Sequence, residues 1–256
     1  MQARLCLLFL TTFSILADDW PQWLGPQRDG VWREKGIVKK FNGAPKLRWK
    51  VSIGGGYAGP AVADGRVYVL DRQLSKGVRN PSNPFARGQL LGTERVLCLN
   101  EADGKLLWKH EYDCPYAISY PAGPRCTPTV DGDRVYVLGA MGDLFCFKAK
   151  TGKLVWKKDF KKDFGAKVPI WGFAAHPLVD GDKLICLVGG EKGTTTAFDK
   201  MTGKVIWTSL QSPDLGYCPP MIYEAGGKRQ LIIWHPRALS SVDPETGEPY
   251  WSVPFR

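Results

Sequence analysis

The sequence predicts an all-β protein, a propeller built of four-stranded antiparallel blades. The main observation is a two-residue turn ending in glycine, then three residues, then tryptophan. It occurs four times, at Asp103-Gly104 to Trp108, Thr151-Gly152 to Trp156, Thr202-Gly203 to Trp207 and Thr246-Gly247 to Trp251. The tryptophans lie 48, 51 and 44 residues apart, a period typical of one supersecondary unit used repeatedly. The chain also has 29 glycines in 256 residues, and short β-rich runs replace long amphipathic helical stretches.

Residues 1–17 are predicted to be a cleaved secretory signal. Arg4 precedes the apolar run Leu5–Leu16, which is too short to span a bilayer. Removing these residues lowers the net charge from +10 to +9, because Arg4 is the one charged residue among them. We therefore expect an exported protein, periplasmic or extracellular, with no transmembrane segment. An exported location argues against a nucleic-acid partner, and the basic charge leaves an anionic ligand or a solubilising surface open.

Residues 18–53 form an N-terminal segment that precedes the first full blade. Within it, Leu47–Val51 resembles the fourth strand of a blade and contains Trp49, although no complete blade comes before it. Such an orphan strand is expected to complete the last blade of a ring, which would remove exposed sheet edges.

Residues 54–256 contain the four blades, which end near the recurrent tryptophans. Each blade begins with a proline-led first strand, in the segments Gly59–Val62, Thr127–Val130, His176–Val179 and Pro219–Ile222. An Asp-Gly or Gly-Gly turn then leads into the second strand, as expected for tight hairpins. We interpret the repeated residues as structural, because each blade must bury its apolar faces against a neighbour. This set comprises Trp108, Trp156, Trp207, Trp251, Gly104, Gly152, Gly203 and Gly247.

The first blade carries an insertion between its second and third strands. The stretch Asp71–Glu94 contains Pro, Asn and Gly and is predicted to be a long surface loop, either a lid or contact arm or a disordered segment.

Six cysteines remain after signal removal, and they fall into two groups. Cys98, Cys146 and Cys186 lie in apolar β runs, where buried thiols are the default. Cys114, Cys126 and Cys218 lie in loops, and export permits disulfides there. The nearest loop pair is Cys114 with Cys126, and the pairing stays open.

The repeat resembles the quinoprotein-type β-propeller family, often called PQQ-like repeat proteins. The family motif is approximately Ala/Phe-Leu-Asp-x-x-Thr-Gly-x-x-x-Trp, and Phe198–Trp207 and Val242–Trp251 match it. The first copy has Asp103 in place of Thr, and the second has Lys148 where Asp is usual. The opening Trp20–Gly30 resembles the mature N-terminus of exported bacterial members, with Leu24 where Arg is common. The motif is specific for the fold and unspecific for activity.

The resemblance implies rings of seven or eight blades, more than the four found here. We expect an incomplete ring, either a truncated product or half of an assembly that completes itself with another copy. A closed four-bladed ring is the alternative.

The best-known family activity implied by the resemblance is oxidation of alcohols or sugars with pyrroloquinoline quinone (PQQ) and Ca²⁺ on the propeller axis. The chain contains no Cys-Cys dipeptide, no Cys-x-x-Cys-His and no dense acidic motif. It also lacks G-x-S-x-G, H-E-x-x-H and P-loop motifs. The sequence therefore nominates no catalytic residue and no metal ligand, and PQQ with Ca²⁺ rests on resemblance alone.

One constellation of candidate binding residues precedes the first strands of the blades, where side chains are expected to face an axial funnel. It consists of Arg125, Cys126, His176, Cys218, His235 and Arg237. These residue types suit a small anionic ligand or a soft metal. The alternative is a set of satisfied polar groups in scaffold loops.

The leading functional prediction is a non-catalytic binding or assembly scaffold that presents loops and a funnel to proteins or ligands. A related exported propeller that serves in outer-membrane protein assembly supports this by analogy. The alternative is a PQQ-dependent dehydrogenase, complete or degenerate, so whether the protein is an enzyme stays open. Glycan binding through exposed aromatic residues is a third class.

Overall fold

A computed structural model describes residues 18–255 of the chain. The predicted signal segment, residues 1–17, lies outside the described residues. The rest forms four four-stranded antiparallel sheets, in each of which consecutive strands are neighbours. The predicted all-β architecture of four-stranded blades is confirmed, and the ring is not closed. Within residues 18–255, no helix is long and apolar enough to cross a membrane.

The four sheets are numbered as blades in chain order. Blade 1 contains β1 (Ala61–Ala63), β2 (Arg66–Leu74), β3 (Gly92–Asn100) and β4 (Leu106–Asp113). Blade 2 contains β5 (Thr129–Asp131), β6 (Arg134–Leu138), β7 (Asp143–Lys148) and β8 (Leu154–Asp159), followed by the short helix α1 (Phe160–Phe164). Blade 3 contains β9 (Leu178–Asp180), β10 (Lys183–Leu187), β11 (Thr195–Asp199) and β12 (Val205–Ser209). Blade 4 contains β13 (Met221–Ala225), β14 (Lys228–His235), β15 (Ala238–Val242) and β16 (Pro249–Pro254).

The first strands of successive blades lie side by side, since β1 contacts β5 and β5 contacts β9. Each first strand begins directly after the predicted proline, because proline has no N–H for a ladder and fixes an extended entry. In blade 1 the hairpin turn Asp64-Gly65 has φ of 50° and 69°. Positive φ at both central residues is the geometry of the tight hairpin that the Asp-Gly signal predicts.

A glycine and a tryptophan meet at each junction between blades. The Trp108 ring of blade 1 covers Gly152 of blade 2, and a Cβ at Gly152 would lie 2.6 Å from that ring. Trp156 covers Gly203 and Trp207 covers Gly247 in the same way. These glycines also have φ between 68° and 76°, so both backbone conformation and space require glycine. The repeat is therefore a packing device in which each blade supplies a tryptophan to the next.

The indole N–H groups of two of these tryptophans also donate to the next blade. Trp108 Nε1 donates to the carbonyl of Ala149 (2.8 Å), and Trp156 Nε1 donates to that of Lys200 (3.1 Å). Tyr136, which lies beside Trp156 on the same face, donates its hydroxyl to the Lys200 carbonyl as well. The first two junctions therefore join a large apolar contact to a directional hydrogen bond, whereas the buried Nε1 of Trp207 has no hydrogen-bond partner among residues 18–255.

The segment 47–51 belongs to no sheet in the described part of the chain. Trp49 nevertheless takes the tryptophan position before blade 1, because it covers Gly104 and donates its Nε1 to the Glu101 carbonyl at 2.7 Å. The role of this segment as a closing strand stays a prediction.

The insertion in blade 1 is shorter than predicted. Strand β2 continues to Leu74 and strand β3 begins at Gly92. The connection therefore spans residues 75–91 rather than Asp71–Glu94. The prediction was wrong at both ends because the polar residues there make internal contacts. The buried Asp71 carboxylate pairs with Arg95 on β3, and Arg72 donates to the carbonyls of Leu90 and Pro121. Polar residues of this kind look like loop residues in a sequence.

One face of blade 4 has no blade packed on it within residues 18–255. Its aromatic and aliphatic side chains lie on one side of the sheet, since Val253, Leu239 and Trp234 are directly paired across strands. Four of them are between 39% and 56% exposed: Tyr223, Trp234, Trp251 and Val253. Trp251 is thus exposed where Trp156 and Trp207 are buried, and its Nε1 donates within its own blade to Gln230. We call these four residues the open face of blade 4.

Candidate functional site

Residues 20–30, here called the N-terminal strap, run along the first strands of the blades. The edge of the structure where these first strands lie side by side is called the inner end of the blades. Trp20 and Val62 of β1 exchange two backbone hydrogen bonds of 2.9 Å. The carbonyl of Pro21 then accepts from the N–H of Val130 in β5 at 2.8 Å. The strap therefore pairs with the first strand of blade 1 and then contacts the first strand of blade 2.

The side chain of Arg28 connects the strap to blades 3 and 4. Its guanidinium donates to the carbonyls of Pro177 (2.9 Å), Pro220 (3.2 Å) and His176 (3.4 Å), and to Gln22 Oε1 (3.2 Å). Only 5% of the residue is exposed, and burial lowers the pKa of Arg28 to about 10. The side chain remains charged at neutral pH. Its Nη1 and Nη2 groups are engaged by backbone carbonyls that precede the first strands of two blades, whereas its buried Nε has no partner among residues 18–255.

His176 lies between the strap and blade 2. Its ring stacks on Trp23 of the strap with centroids 5.0 Å apart and planes 8° apart. Its Nδ1 accepts the backbone N–H of Thr127 at 2.9 Å. Burial, assisted by the Arg28 charge, lowers the pKa of His176 to about 4. The imidazole is therefore neutral at pH 7 with its proton on Nε2, which makes it a structural acceptor in this position.

The strap and the first strands enclose an inner cleft of about 490 Å³. Arg125 and His176, two of the predicted binding residues, both line it, together with Trp20, Gln22, Trp23, Leu24, Tyr57, Gly59, Pro60, Val62 and Thr127. Arg125 donates to the carbonyls of Gly123, Ser119 and Tyr120, and its guanidinium lies 5.1 Å from the Tyr57 ring centroid. The two predicted residues are thus brought together, and each is already engaged by backbone groups.

The other four predicted residues do not line the inner cleft. Cys126 is fully buried, with its Sγ 3.8 Å from the Phe173 carbonyl, whereas Cys218 is exposed. His235 is buried and its Nδ1 accepts from the N–H of Arg237, whose side chain faces solvent. The proposed disulfide pair is not formed, since Cys114 and Cys126 are both free. In residues 18–255 no three His, Cys, Asp or Glu side chains converge as a metal site would require.

A second depression, the loop cleft, lies among the connections of blades 2, 3 and 4 and has a volume of about 1020 Å³. It is lined by the connections at 165–171, 189–191 and 211–217, with Pro236 and with Arg87 from the blade 1 insertion. The sequence analysis missed it as a site. The available signal was the pair of loop aromatics, Trp171 and Tyr217, which lie in the connections that precede the first strands of blades 3 and 4.

Sequence reasoning also missed a buried carboxyl at the junction of blades 1 and 2. Glu94 accepts from the hydroxyls of Tyr112 and Tyr116, and from the backbone N–H of Ala140 at 3.0 Å. Burial raises the pKa of Glu94 despite these donors. The contact to Ala140 crosses from β3 to the β6–β7 turn, so the carboxyl joins two blades and is enclosed by them.

The neutral state of His176 predicts a pH-dependent stability. As the pH falls, His176 of the unfolded chain binds a proton near its ordinary pKa of 6.5. In the folded chain the same imidazole binds a proton only near its lowered pKa of about 4. We expect this residue to lower the free energy of unfolding between those values by about 3 kcal/mol in total. His176→Gln keeps an acceptor for Thr127 and does not titrate. Urea unfolding of both proteins at pH 7 and pH 4 measures the difference, and parallel pH dependences would contradict the assignment.

Comparisons with known proteins agree with this architecture. The PQQ_2 family model, described as outer membrane protein assembly factor BamB, matches residues 92–255. Quinohemoprotein alcohol dehydrogenase ADH IIB of Pseudomonas putida is 29% identical over 168 residues, which cover 62% of this chain and 22% of that enzyme.

Two solved structures share the fold. Quinohemoprotein alcohol dehydrogenase from Comamonas testosteroni superposes with a TM-score of 0.62 and 17% identity, over 92% of this chain and 41% of that one. BamB from Moraxella catarrhalis superposes with a TM-score of 0.54 and 16% identity, over 80% of this chain and 54% of that one. The chain thus spans about half or less of the length of these relatives. With the family model covering more than half of its residues, the chain belongs to the PQQ-like repeat family of β-propellers.

Proposed function

We propose that this protein is a non-catalytic binding and assembly scaffold of the bacterial cell envelope, exported by its N-terminal signal. The observation that carries the proposal is the N-terminal strap, which lies across the inner ends of the blades and places the chain's own side chains there. Arg28 fixes it there through the carbonyls of Pro177 and Pro220. An inner end that is partly occupied by the protein's own chain favours use of the outer surfaces and loops.

The residues of the inner cleft do not fit PQQ, the cofactor that the family resemblance implies. A planar, carboxylated quinone needs a slot between two flat surfaces and free cationic donors. The Trp23 and His176 rings already stack on each other at 5.0 Å, which leaves no space for a third ring between them. The terminal Nη1 and Nη2 groups of Arg28 and Arg125 are engaged by backbone carbonyls, and the remaining Arg28 donor, Nε, is buried.

The open face of blade 4 supports a protein partner. Exposed aromatic residues that cluster on one sheet face are typical of protein–protein contacts. Tyr223, Trp234 and Trp251 supply such a cluster, and neighbouring Val253 extends it. BamB is named as an outer membrane protein assembly factor, and we propose the same general role, contact with the machinery of outer-membrane protein assembly, for this chain.

The test places a photo-crosslinking amino acid at position 234 and, as a control, at position 32, where Trp32 is equally exposed in the N-terminal segment. We expect irradiation of intact cells to give a discrete adduct from position 234 with a component of outer-membrane protein assembly. Position 32 is expected to give none. Absence of an adduct at 234, or equal adducts at both positions, would contradict the proposal.

The alternative function is a quinone-dependent dehydrogenase, favoured by the identity to ADH IIB. It is tested by adding PQQ and Ca²⁺ to the purified full chain and following dye reduction with a panel of alcohols and sugars. We expect no saturable turnover, and turnover that requires the quinone would overturn the scaffold proposal.

A further inference from the structure

The loop cleft has the form of a ligand site rather than of a gap between loops. Its volume of about 1020 Å³ lies at the upper end of the range of small-ligand pockets. Its walls come from three successive connections, and glycines at 165, 189, 190 and 216, all with positive φ, shape the turns. The cleft lies apart from the inner cleft, with which it shares no lining residue.

Two aromatic rings form a solvent-facing platform in the loop cleft. Trp171 is 43% exposed, and its ring lies 5.0 Å from that of Tyr217 at an angle of 39°. The Tyr217 hydroxyl accepts the backbone N–H of Trp171 at 3.3 Å, which holds the two connections together. Neither ring belongs to a blade junction, so blade packing does not account for the exposed Trp171.

The polar side chains around the platform carry balanced charge. Two cations, Arg87 and Lys167, and two carboxylates, Glu191 and Asp214, line the cleft. A strongly charged ligand of either sign would therefore gain little from the long-range field there. The same groups supply hydrogen-bond donors and acceptors in similar number.

A buried hydroxyl lies in the wall of the cleft. Ser212 lines it, and its Oγ is enclosed without a hydrogen-bond partner among residues 18–255. A buried hydroxyl without a hydrogen-bond partner is unfavourable unless a ligand or a water molecule forms a hydrogen bond with it. The neighbouring Gln211 lines the same wall. Its side chain donates to the Glu191 carbonyl at 3.3 Å and so joins this wall to the connection at 189–191.

We propose that the loop cleft binds a neutral oligosaccharide. The apolar C–H face of a sugar ring stacks on an aromatic face such as that of Trp171, and its hydroxyls pair with groups that both donate and accept. The cleft volume of about 1020 Å³ is large enough for a short oligosaccharide. This site is independent of the proposed protein contact, because the open face of blade 4 contributes none of its lining residues.

The experiment titrates the purified full chain with maltotriose, cellotriose and chitotriose, and follows intrinsic tryptophan fluorescence and heat of binding. We expect saturable binding of at least one trisaccharide. Trp171→Ala should raise its Kd about tenfold or more, and Trp171→Phe should restore part of the affinity. Trp32→Ala, which removes an exposed tryptophan outside the cleft, should leave the Kd unchanged. The thermal midpoint of each variant verifies that it is folded.

Two results would overturn the proposal. One is the absence of saturable binding for all three sugars. The other is binding that Trp171→Ala leaves intact, which would place the sugar elsewhere. Inorganic phosphate and a neutral peptide, Gly-Phe-Gly with blocked ends, are the comparison probes, and preferential binding of either to the cleft would also reject a sugar site. These outcomes leave the scaffold proposal untouched, since its test reads position 234.

Discussion

Replacing Trp156 with alanine should lower the free energy of unfolding by about 3–5 kcal/mol. The ring is buried between blades 2 and 3, where it covers Gly203 and donates its Nε1 to the Lys200 carbonyl at 3.1 Å. Its removal leaves a cavity in the junction, and the Lys200 carbonyl loses one hydrogen-bond donor. Urea unfolding followed by circular dichroism measures the loss.

The matched control for this variant is Trp251→Ala. Trp251 occupies the same repeat position, but it is 39% exposed because no blade covers it within the described residues. We expect its truncation to cost about 1 kcal/mol or less. Equal losses for the two variants would show that the tryptophans act within their own blades, and would contradict the junction assigned here.

The glycine partner of Trp156 separates the packing contact from the backbone requirement. Gly203 and Gly181 both have positive φ, of 70° and 55°. A Cβ at Gly203 would lie 2.8 Å from the Trp156 ring, whereas at Gly181 no atom lies within 4 Å. Gly203→Ala should therefore cost about 1–3 kcal/mol more than Gly181→Ala, because only the former is overpacked.

The blades could be predicted because their signals are local. A proline, an Asp-Gly turn and a Gly-to-Trp spacing occupy short stretches, and each has a direct conformational meaning. The stacking of successive blades through the recurrent tryptophans follows from them, whereas the contact of each tryptophan with the next glycine is visible only in the structure. Arg125 and His176 were placed near each other by the same alignment of first strands, and both line the inner cleft.

The rest could not be predicted because it depends on contacts between distant residues. Arg28 binds the Pro177 carbonyl across 149 positions of sequence, and no pattern in the opening segment identifies that partner. Glu94 stands in a polar stretch that resembles a loop, although two tyrosines and a backbone N–H enclose it. Trp171 and Tyr217 are ordinary loop aromatics until their connections are brought together. A sequence marks such residues as unusual only when their environment is known.

Arg28→Ala should be about as destabilising as Trp156→Ala, at about 3–5 kcal/mol. The change removes a charged donor from the buried carbonyls of His176, Pro177 and Pro220, and each loses a hydrogen bond where water enters poorly. It also frees the ring of Trp23, which lies 5.3 Å from the guanidinium carbon. Urea unfolding gives the free energy, and earlier proteolysis between residues 20 and 30 would report release of the strap.

Two variants decide whether the geometry of Arg28 or merely its charge matters. Arg28→Lys retains the charge but presents one ammonium in place of the planar fork, so it cannot reach the carbonyls of Pro177 and Pro220 together. We expect it to recover less than half of the lost stability. Arg33 is exposed, lies just beyond the strap and pairs with Asp29. Arg33→Ala should leave the free energy of unfolding unchanged. If Arg28→Lys restores full stability, the strap is held by charge alone. If Arg28→Ala has no effect, the strap does not bind the inner ends of the blades, and the main argument against a ligand there is lost.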